Sequence, residues 1–277
     1  MGIMACLAGI LRCYEVMTSV AQRGTRSIGH TETGCVRSNN QDAILVDEAA
    51  GLWLVADGMG GHAGGAEASR IARNTIQDAV AHGAALSGAI ADAHQAVRAG
   101  QARDAQLADM GTTVVALHEQ GEEYEIGWVG DSRAYLYDGD SGQFRLLTRD
   151  HNLAGWMVER GAISPLQATH HPKRHVLTDC LGLHSGDEPR IECIRGRWRA
   201  DQIVLLCSDG LNGELDDAAM AEALSDDQPL ERLADRLMSL ALEAGARDNV
   251  SLVLVQSPSH PRATRQPRRW LGWLGRG

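Results

Sequence analysis

The chain has 277 residues, 44% hydrophobic and 22% charged, an ordinary balance for one large or two small globular domains. Its formal net charge of -10 argues against a nucleic-acid-binding body, because phosphate backbones would be repelled. The six cysteines form no C-x-x-C pair, which speaks against a zinc knuckle or disulfide scaffold and for reduced thiols in a cytoplasmic protein.

Along the chain, the first twenty residues hold a short apolar run broken by Arg12 and Glu15. That run is far short of the ~20 apolar residues of a membrane span and lacks a signal-peptide pattern. Residues 1–26 are expected to be an extension, poorly ordered or partly helical, ahead of a domain over 27–256. Residues 52–56 (LWLVA) are apolar without alternation and predict a fully buried strand. From about Ala63, the residues Ala68, Ile71, Ala72, Ile76 and Val80 recur at helical spacing. Gly83 follows as a stop, and an Ala-rich helix is expected over 86–107. TTVVAL (112–117), YEIGWV (124–129) and RAYLY (133–137) read as successive strands joined by glycine- and acid-rich turns.

A short helix over 152–160 ends at Gly161, and residues 161–190 read as an irregular, His-rich surface excursion. IVLLC (203–207) predicts a buried strand, Leu230, Leu233, Leu237 and Leu240 an amphipathic helix closed by Gly245, and VSLVLV (250–255) the last strand. Residues 257–277 form a basic tail with Trp270 and Trp273 among arginines and no acid. Such a tail could touch an anionic membrane surface weakly; a tail without a specific task is the plainer reading. Strands clustered in hairpins and helices in separate blocks predict a layered α+β domain rather than βαβ repetition.

Four aspartates close or open four of these apolar strands. Asp57 ends LWLVAD, Asp131 ends EIGWVGD, Asp209 ends IVLLCSD, and Asp248 stands just before VSLVLV. Any one of them could simply begin a turn. If the strand ends converge, the clustered carboxylates raise each other's pKa, and a divalent cation relieves that cost. An all-oxygen donor set suits Mg2+ or Mn2+ rather than Zn2+. Glycine after Asp57 lets the Gly58 carbonyl turn inward as another donor. Gly58, Gly60 and Ala63 also fit G-x-G-x-x-G/A, but Asp57 would then face a pyrophosphate and no parallel strand with a terminal acid follows. Upstream, Arg37 lies among small polar residues with Gln41 and Asp42 nearby; a guanidinium can clamp a phosphate through two parallel hydrogen bonds. A lone surface arginine is the plainer reading of Arg37 by itself.

Together, GCVRSNNQD, VADGMGGHAGG, MGTTVV, VGDSRAYLY, LTRDHNL, LTDCLG, CSDGL and ARDNVSLVLV resemble, in order, the metal-dependent Ser/Thr protein phosphatases of the PPM family (protein phosphatase type 2C) in their compact bacterial form. The resemblance covers about Ser27 to Gln256. It implies a four-layer α-β-β-α sandwich, two antiparallel sheets flanked by helices, with two Mn2+ or Mg2+ ions between the sheet ends and a third, weaker ion. By motif match, Asp57 bridges the two ions, the Gly58 carbonyl holds the second, and Asp209 and Asp248 hold the first. Asp131, with Asp209, matches the ligand of the third. Asp42 resembles a residue that orients the attacking water, Arg37 the phosphate clamp, and about 151–181 a mobile flap beside the cleft. The implied reaction is in-line hydrolysis of phosphoserine or phosphothreonine by a metal-activated water, without a phosphoenzyme.

The sequence departs from that pattern at Gln41, where many relatives have Glu, and at Met59, where animal members often carry a proton-donating His. His62, three residues on, is a further acid candidate, and a loop histidine is its plainer reading. Asp179 and Cys180 replace residues that are often Arg and Ala in bacterial relatives. In THHPKRH (169–175), Pro172 separates His171 from His175 and disfavours a helical metal pair; a solvated flap segment is the simpler reading. The expected partners are phosphorylated proteins, including a Ser/Thr kinase and its targets, with no nucleic acid, and the protein is expected to be a monomer. The rival readings are a partner-switching phosphatase and a catalytically dead phosphoprotein scaffold.

Overall fold

The computed structural model describes residues 25–61, 64–182 and 188–258. The expected N-terminal extension, apart from Thr25 and Arg26, the tail from 259 and His62 lie outside these residues. In chain order the strands are β1 (Arg26–Glu32), β2 (Asp42–Asp47), β3 (Leu52–Met59), β4 (Gly111–Thr112), β5 (Val114–Gln120), β6 (Glu123–Val129), β7 (Arg133–Asp138), β8 (Gln143–Leu146), β9 (Glu192–Arg197), β10 (Gln202–Cys207) and β11 (Val250–Gln256). The helices are α1 (Gly64–Ala81), α2 (Leu86–Arg103), α3 (Leu153–Glu159), α4 (Pro165–Thr169), α5 (Asp209–Asn212), α6 (Asp217–Ser225) and α7 (Leu230–Ala244).

One antiparallel sheet runs β1-β11-β10-β7-β8 and the other β2-β3-β5-β6-β9, with β4 an extra partner of β3. Side chains alternate across each strand, and the two faces sort into different cores. On β3, Leu52, Leu54 and Ala56 pack on Ile76, Leu86 and Ile90 of α1 and α2. Trp53 and Val55 turn the other way, against Val204, Leu206, Val253 and Val255 of the opposite sheet. On β10, Leu205 and Cys207 face Leu233, Leu237 and Met238 of α7. The result is the four-layer α-β-β-α sandwich of two antiparallel sheets. With one Phe in the chain, the layer between the sheets is filled by Trp53, Trp128, Trp198, Tyr124 and aliphatic side chains, all buried.

The same alternation places the site. Asp57 shares the parity of Trp53 and Val55, Asp42 that of Ile44, Ser208 that of Val204 and Leu206, and Ser251 that of Val253 and Val255. All four therefore continue the inter-sheet face beyond the point where the apolar filling ends.

Three elements differ from their sequence expectations for local reasons. The strand expected over 112–117 is split at Thr113, whose hydroxyl accepts from the Asp57 N–H at 3.1 Å. The helix expected over 86–107 stops at Arg103. Asp104 is extended, and its side chain accepts from Gln106 N–H to start a separate 3-10 turn at Ala105–Leu107. Within the irregular 161–190 stretch, Ser164 and Gln167 form a capping box that nucleates the single turn of α4. Among the described residues, no helix is long and apolar enough to cross a membrane.

Candidate metal centre

The hairpin of β2 and β3 pairs Asp42 directly with Asp57. From the opposite sheet, Ser208 at the end of β10 and Ser251 at the start of β11 both donate to Asp42 Oδ2, at 2.9 and 2.6 Å. These two bonds tie the sheets together at one end. Asp209 directly follows Ser208, and Asp248 lies three residues before Ser251, so both arrive at the same seam.

Next to them, the loop of residues 33–41 is strapped down by Asn249. Its side-chain amide donates to Thr33 O and Asn39 O, each at 2.9 Å, and its Oδ1 accepts from Gln41 N–H at 2.8 Å. This places Arg37 against Asp248, Nη2 to Oδ2 at 2.6 Å. The expected phosphate clamp thus points at an expected metal ligand, and that contact, first among its causes, raises the guanidinium pKa. Both side chains are more than a third exposed, so the arginine is free to exchange partners.

The electrostatics of the centre are those of crowded carboxylates. Burial pushes the Asp57 carboxyl well above the usual range, and the charges of Asp42, Asp209, Asp131 and Asp248 push it further. Asp131 is raised by burial and then by Asp209 and Asp150. Asp42 is raised to about 6, mainly by burial, against the opposing effect of its two serine donors. All three shifts have the form expected of like charges held together at low dielectric.

Two further observations test whether these residues fit a divalent ion. Asp42 Oδ1 is buried without a hydrogen-bond partner, an unused acceptor on the residue paired with Asp57. The cluster is also all oxygen: its carboxylates and the Gly58 carbonyl are hard donors of the kind Mg2+ and Mn2+ take. Glycine is required at 58, because a Cβ there would lie 2.1 Å from Gly65 O and 2.5 Å from Gln41 O. Among the described residues, no three His, Cys, Asp or Glu side chains close into a finished ligand shell. The carboxylates instead face one another at Coulombic range, with Arg37 on Asp248 and His175 Nδ1 at 3.5 Å from Asp209 Oδ2. The residues fit a multi-ion oxygen site whose final closure would come from the cations.

The structure thus brings Arg37, Asp42, Asp57, Gly58, Asp131, Asp209 and Asp248 to one seam; His62 lies outside the described residues. His171 and His175 do not act as a pair: His171 Nδ1 accepts from Lys173 N–H within the flap, while His175 turns to Asp209. The sequence reading missed the supports. Thr112 Oγ1 and Thr113 N–H both donate to Asp57 O at 2.9 Å, and Thr113 Oγ1 pairs with Ser132 Oγ beside Asp131 at 2.7 Å. Ser208, Ser251 and Asn249 belong with them; strand parity was the available signal for the two serines.

The chain matches the family model described as protein phosphatase 2C over residues 33–254. It is 33% identical over 248 residues to the serine/threonine protein phosphatase PstP of Mycobacterium tuberculosis, covering 87% of this chain and 47% of that protein. It therefore spans about half the length of that relative. It is 32% identical over 239 residues to the serine/threonine phosphatase Stp of Listeria innocua, covering 82% of this chain and 93% of the relative. The crystal structure of the M. tuberculosis phosphatase PstP/Ppp superposes with a TM-score of 0.78 at 32% identity, covering 86% of this chain and all of that one. The PstP catalytic domain in complex with two manganese ions gives 0.74 at 31% identity, covering 84% and 98%. Carboxylates from both sheets converging at one seam, and a family match from the end of β1 into β11, make this chain a member of the protein phosphatase 2C family.

Proposed function

We propose that the protein is a Mn2+- or Mg2+-dependent protein phosphatase that hydrolyses phosphoserine and phosphothreonine. The observation that carries the proposal is the meeting of Asp42, Asp57, Asp131, Asp209 and Asp248 at one end of the sandwich, with Arg37 beside them. Asp57, the Gly58 carbonyl, Asp209 and Asp248 would hold two ions, and Asp131 with Asp209 a third. When bound, the ions supply Lewis acidity and bring the pKa of a water towards neutrality.

The chain's own groups do the rest. Arg37 leaves Asp248 for the incoming phosphate and meets two of its oxygens with a planar pair of N–H donors. Asp42, locked by Ser208 and Ser251 through Oδ2, keeps Oδ1 as the acceptor for a water proton and so orients that water. A covalent route through Cys180 or Cys207 has no support: burial pushes the Cys180 thiol up to about 11 and the Cys207 thiol up to about 12, the opposite of an activated nucleophile. The natural substrates in this reading are phosphoproteins made by a Ser/Thr kinase that the enzyme opposes in the cytoplasm.

The test is hydrolysis of a small aryl phosphate with Mn2+, with and without a chelator. The expected result is turnover that needs the metal. Asp209→Asn should lower it by more than about 100-fold while the far-UV spectrum stays native, beyond the 10–100-fold typical of groups that only support a ligand. No metal-dependent turnover would favour a phosphoprotein-binding scaffold instead.

A further inference from the structure

We propose that the flap selects phosphosites flanked by acidic residues; the proposal rests on the phosphatase reading above. Residues 160–178 contain no Asp or Glu in a chain whose formal net charge is -10, yet they carry Arg160, Lys173 and Arg174 with His170, His171 and His175. Elsewhere the cations are largely neutralised by their own fold: Arg133 on Asp150, Arg190 on Glu159, Arg197 on Glu122 and Arg247 on Glu214. Among the described residues, no carboxylate stands at ion-pair distance from Lys173 or Arg174. Arg160 is spent on the Trp156 ring, 4.3 Å from its centroid.

The position of this run is fixed by backbone. Leu153 N–H donates to Val176 O and Thr178 N–H to His151 O, both at 2.8 Å, with an isolated bridge between Asn152 and Leu177. These bonds hold the return of the flap to the chain that leaves β8. They set His175 at the rim of the metal centre, 3.5 Å from Asp209 Oδ2. Lys173 and Arg174 sit in the turn just before it, where Arg174 N–H donates to His171 O and Val176 N–H to Lys173 O. Two residues of chain span at most about 7 Å, so both cations begin within that distance of His175. A peptide whose phosphate enters the centre and whose backbone runs over this turn presents the one or two residues beside its phosphorylated side chain to these cations. Two uncompensated cations there favour glutamate or aspartate at those positions, and they disfavour lysine or arginine.

The experiment compares kcat/KM for a phosphothreonine peptide with flanking glutamates against the same peptide with flanking glutamines. It uses the wild-type chain and the double variant Lys173→Glu/Arg174→Glu, with aryl phosphate as control. The wild type is expected to prefer the glutamate peptide, with the preference shrinking as salt rises. The double variant should lose it, with kcat/KM on the glutamate peptide down on the order of tenfold, as for rim charges that steer association. Its kcat on saturating aryl phosphate should be unchanged, which also reports that the variant is folded. A wild type that turns over aryl phosphate but does not discriminate between the peptides, or a double variant that keeps the preference, overturns the flap proposal alone. Failure of the wild type on aryl phosphate strikes the phosphatase reading beneath it.

Discussion

In the proposed reaction, Arg37 serves two charges in turn. Its contact with Asp248 compensates a carboxylate in a crowded site, and the same guanidinium would then receive the phosphate. The two uses compete, and the competition can be measured. Arg37→Ala should raise KM for aryl phosphate by roughly 10- to 100-fold, the range of a charged hydrogen bond worth about 1.5–3 kcal/mol. The same variant should bind Mn2+ at least as tightly as wild type, because Asp248 Oδ2 loses its internal partner. Mn2+ titration by calorimetry checks the second half. Weaker metal binding would mean that Arg37 holds Asp248 in place, and an unchanged KM would remove the clamp. Asp42 is the complementary case: its Oδ2 is fully used by two hydroxyls and its Oδ1 by none, so its role is written in an unmatched lone pair.

At the scale of elements, the centre depends on loops pressed against strand ends. Gly34 has φ +78, and a Cβ there would lie 2.2 Å from Asp248 O and 2.6 Å from Ala246 O. Gly142, in the β7–β8 turn, has φ +70 but nothing within 4 Å of the same imaginary atom. The pair separates backbone strain from collision. Gly142→Ala should cost only the left-handed penalty, about 1–2 kcal/mol, with activity intact. Gly34→Ala should cost more in thermal unfolding and raise KM, because the loop bearing Arg37 must lift from Asp248. Equal losses in the two variants would show that the contact is not needed.

The same scale explains what could be read from the chain and what could not. Strands buried on both faces, such as β3, β10 and β11, announce themselves as unbroken apolar runs, and their terminal aspartates stand out against them. The strands β1 (RSIGHTE) and β9 (ECIRGR), at sheet edges, mix polar with small or apolar residues without a clean alternation, a pattern also compatible with loops. Asp42 was reachable only through the family motif, since β2 is short and its pairing with β3 is not local information. Asn249 stands inside the ARDNVSLVLV motif, but nothing in the chain announces its role as a strap. Its three partners lie more than two hundred positions away, and only the closed fold brings Thr33, Asn39 and Gln41 to it.

For the whole molecule, the metal centre lies on the seam where one sheet supplies Asp42 and Asp57 and the other leads into Asp209 and Asp248. Without cations, that seam holds carboxylates that fold only by accepting protons or repelling one another. The sign follows from linkage. Asp42 has its folded pKa raised to about 6, above the ordinary carboxylate value of about 3.9, so the native state binds more protons across that interval. Stability of the chelated protein should therefore fall as pH rises from about 4 to about 6, by on the order of 3 kcal/mol from Asp42 alone. Asp57 and Asp131, also raised by burial and by their neighbouring carboxylates, act in the same direction. In the proposed reading Mn2+ binds the native seam rather than the dispersed acids of the unfolded chain, so at a hundred times its dissociation constant it should restore about 2.7 kcal/mol. Because protons and Mn2+ compete for the same oxygens, the gain in Tm on adding Mn2+ should be large at pH 7.5 and small at pH 5. Thermal melts with and without chelator at the two pH values read this directly. A metal-induced gain as large at pH 5 as at pH 7.5 would mean that the ions bind away from these carboxylates, and the seam would then be a structural contact rather than a metal centre.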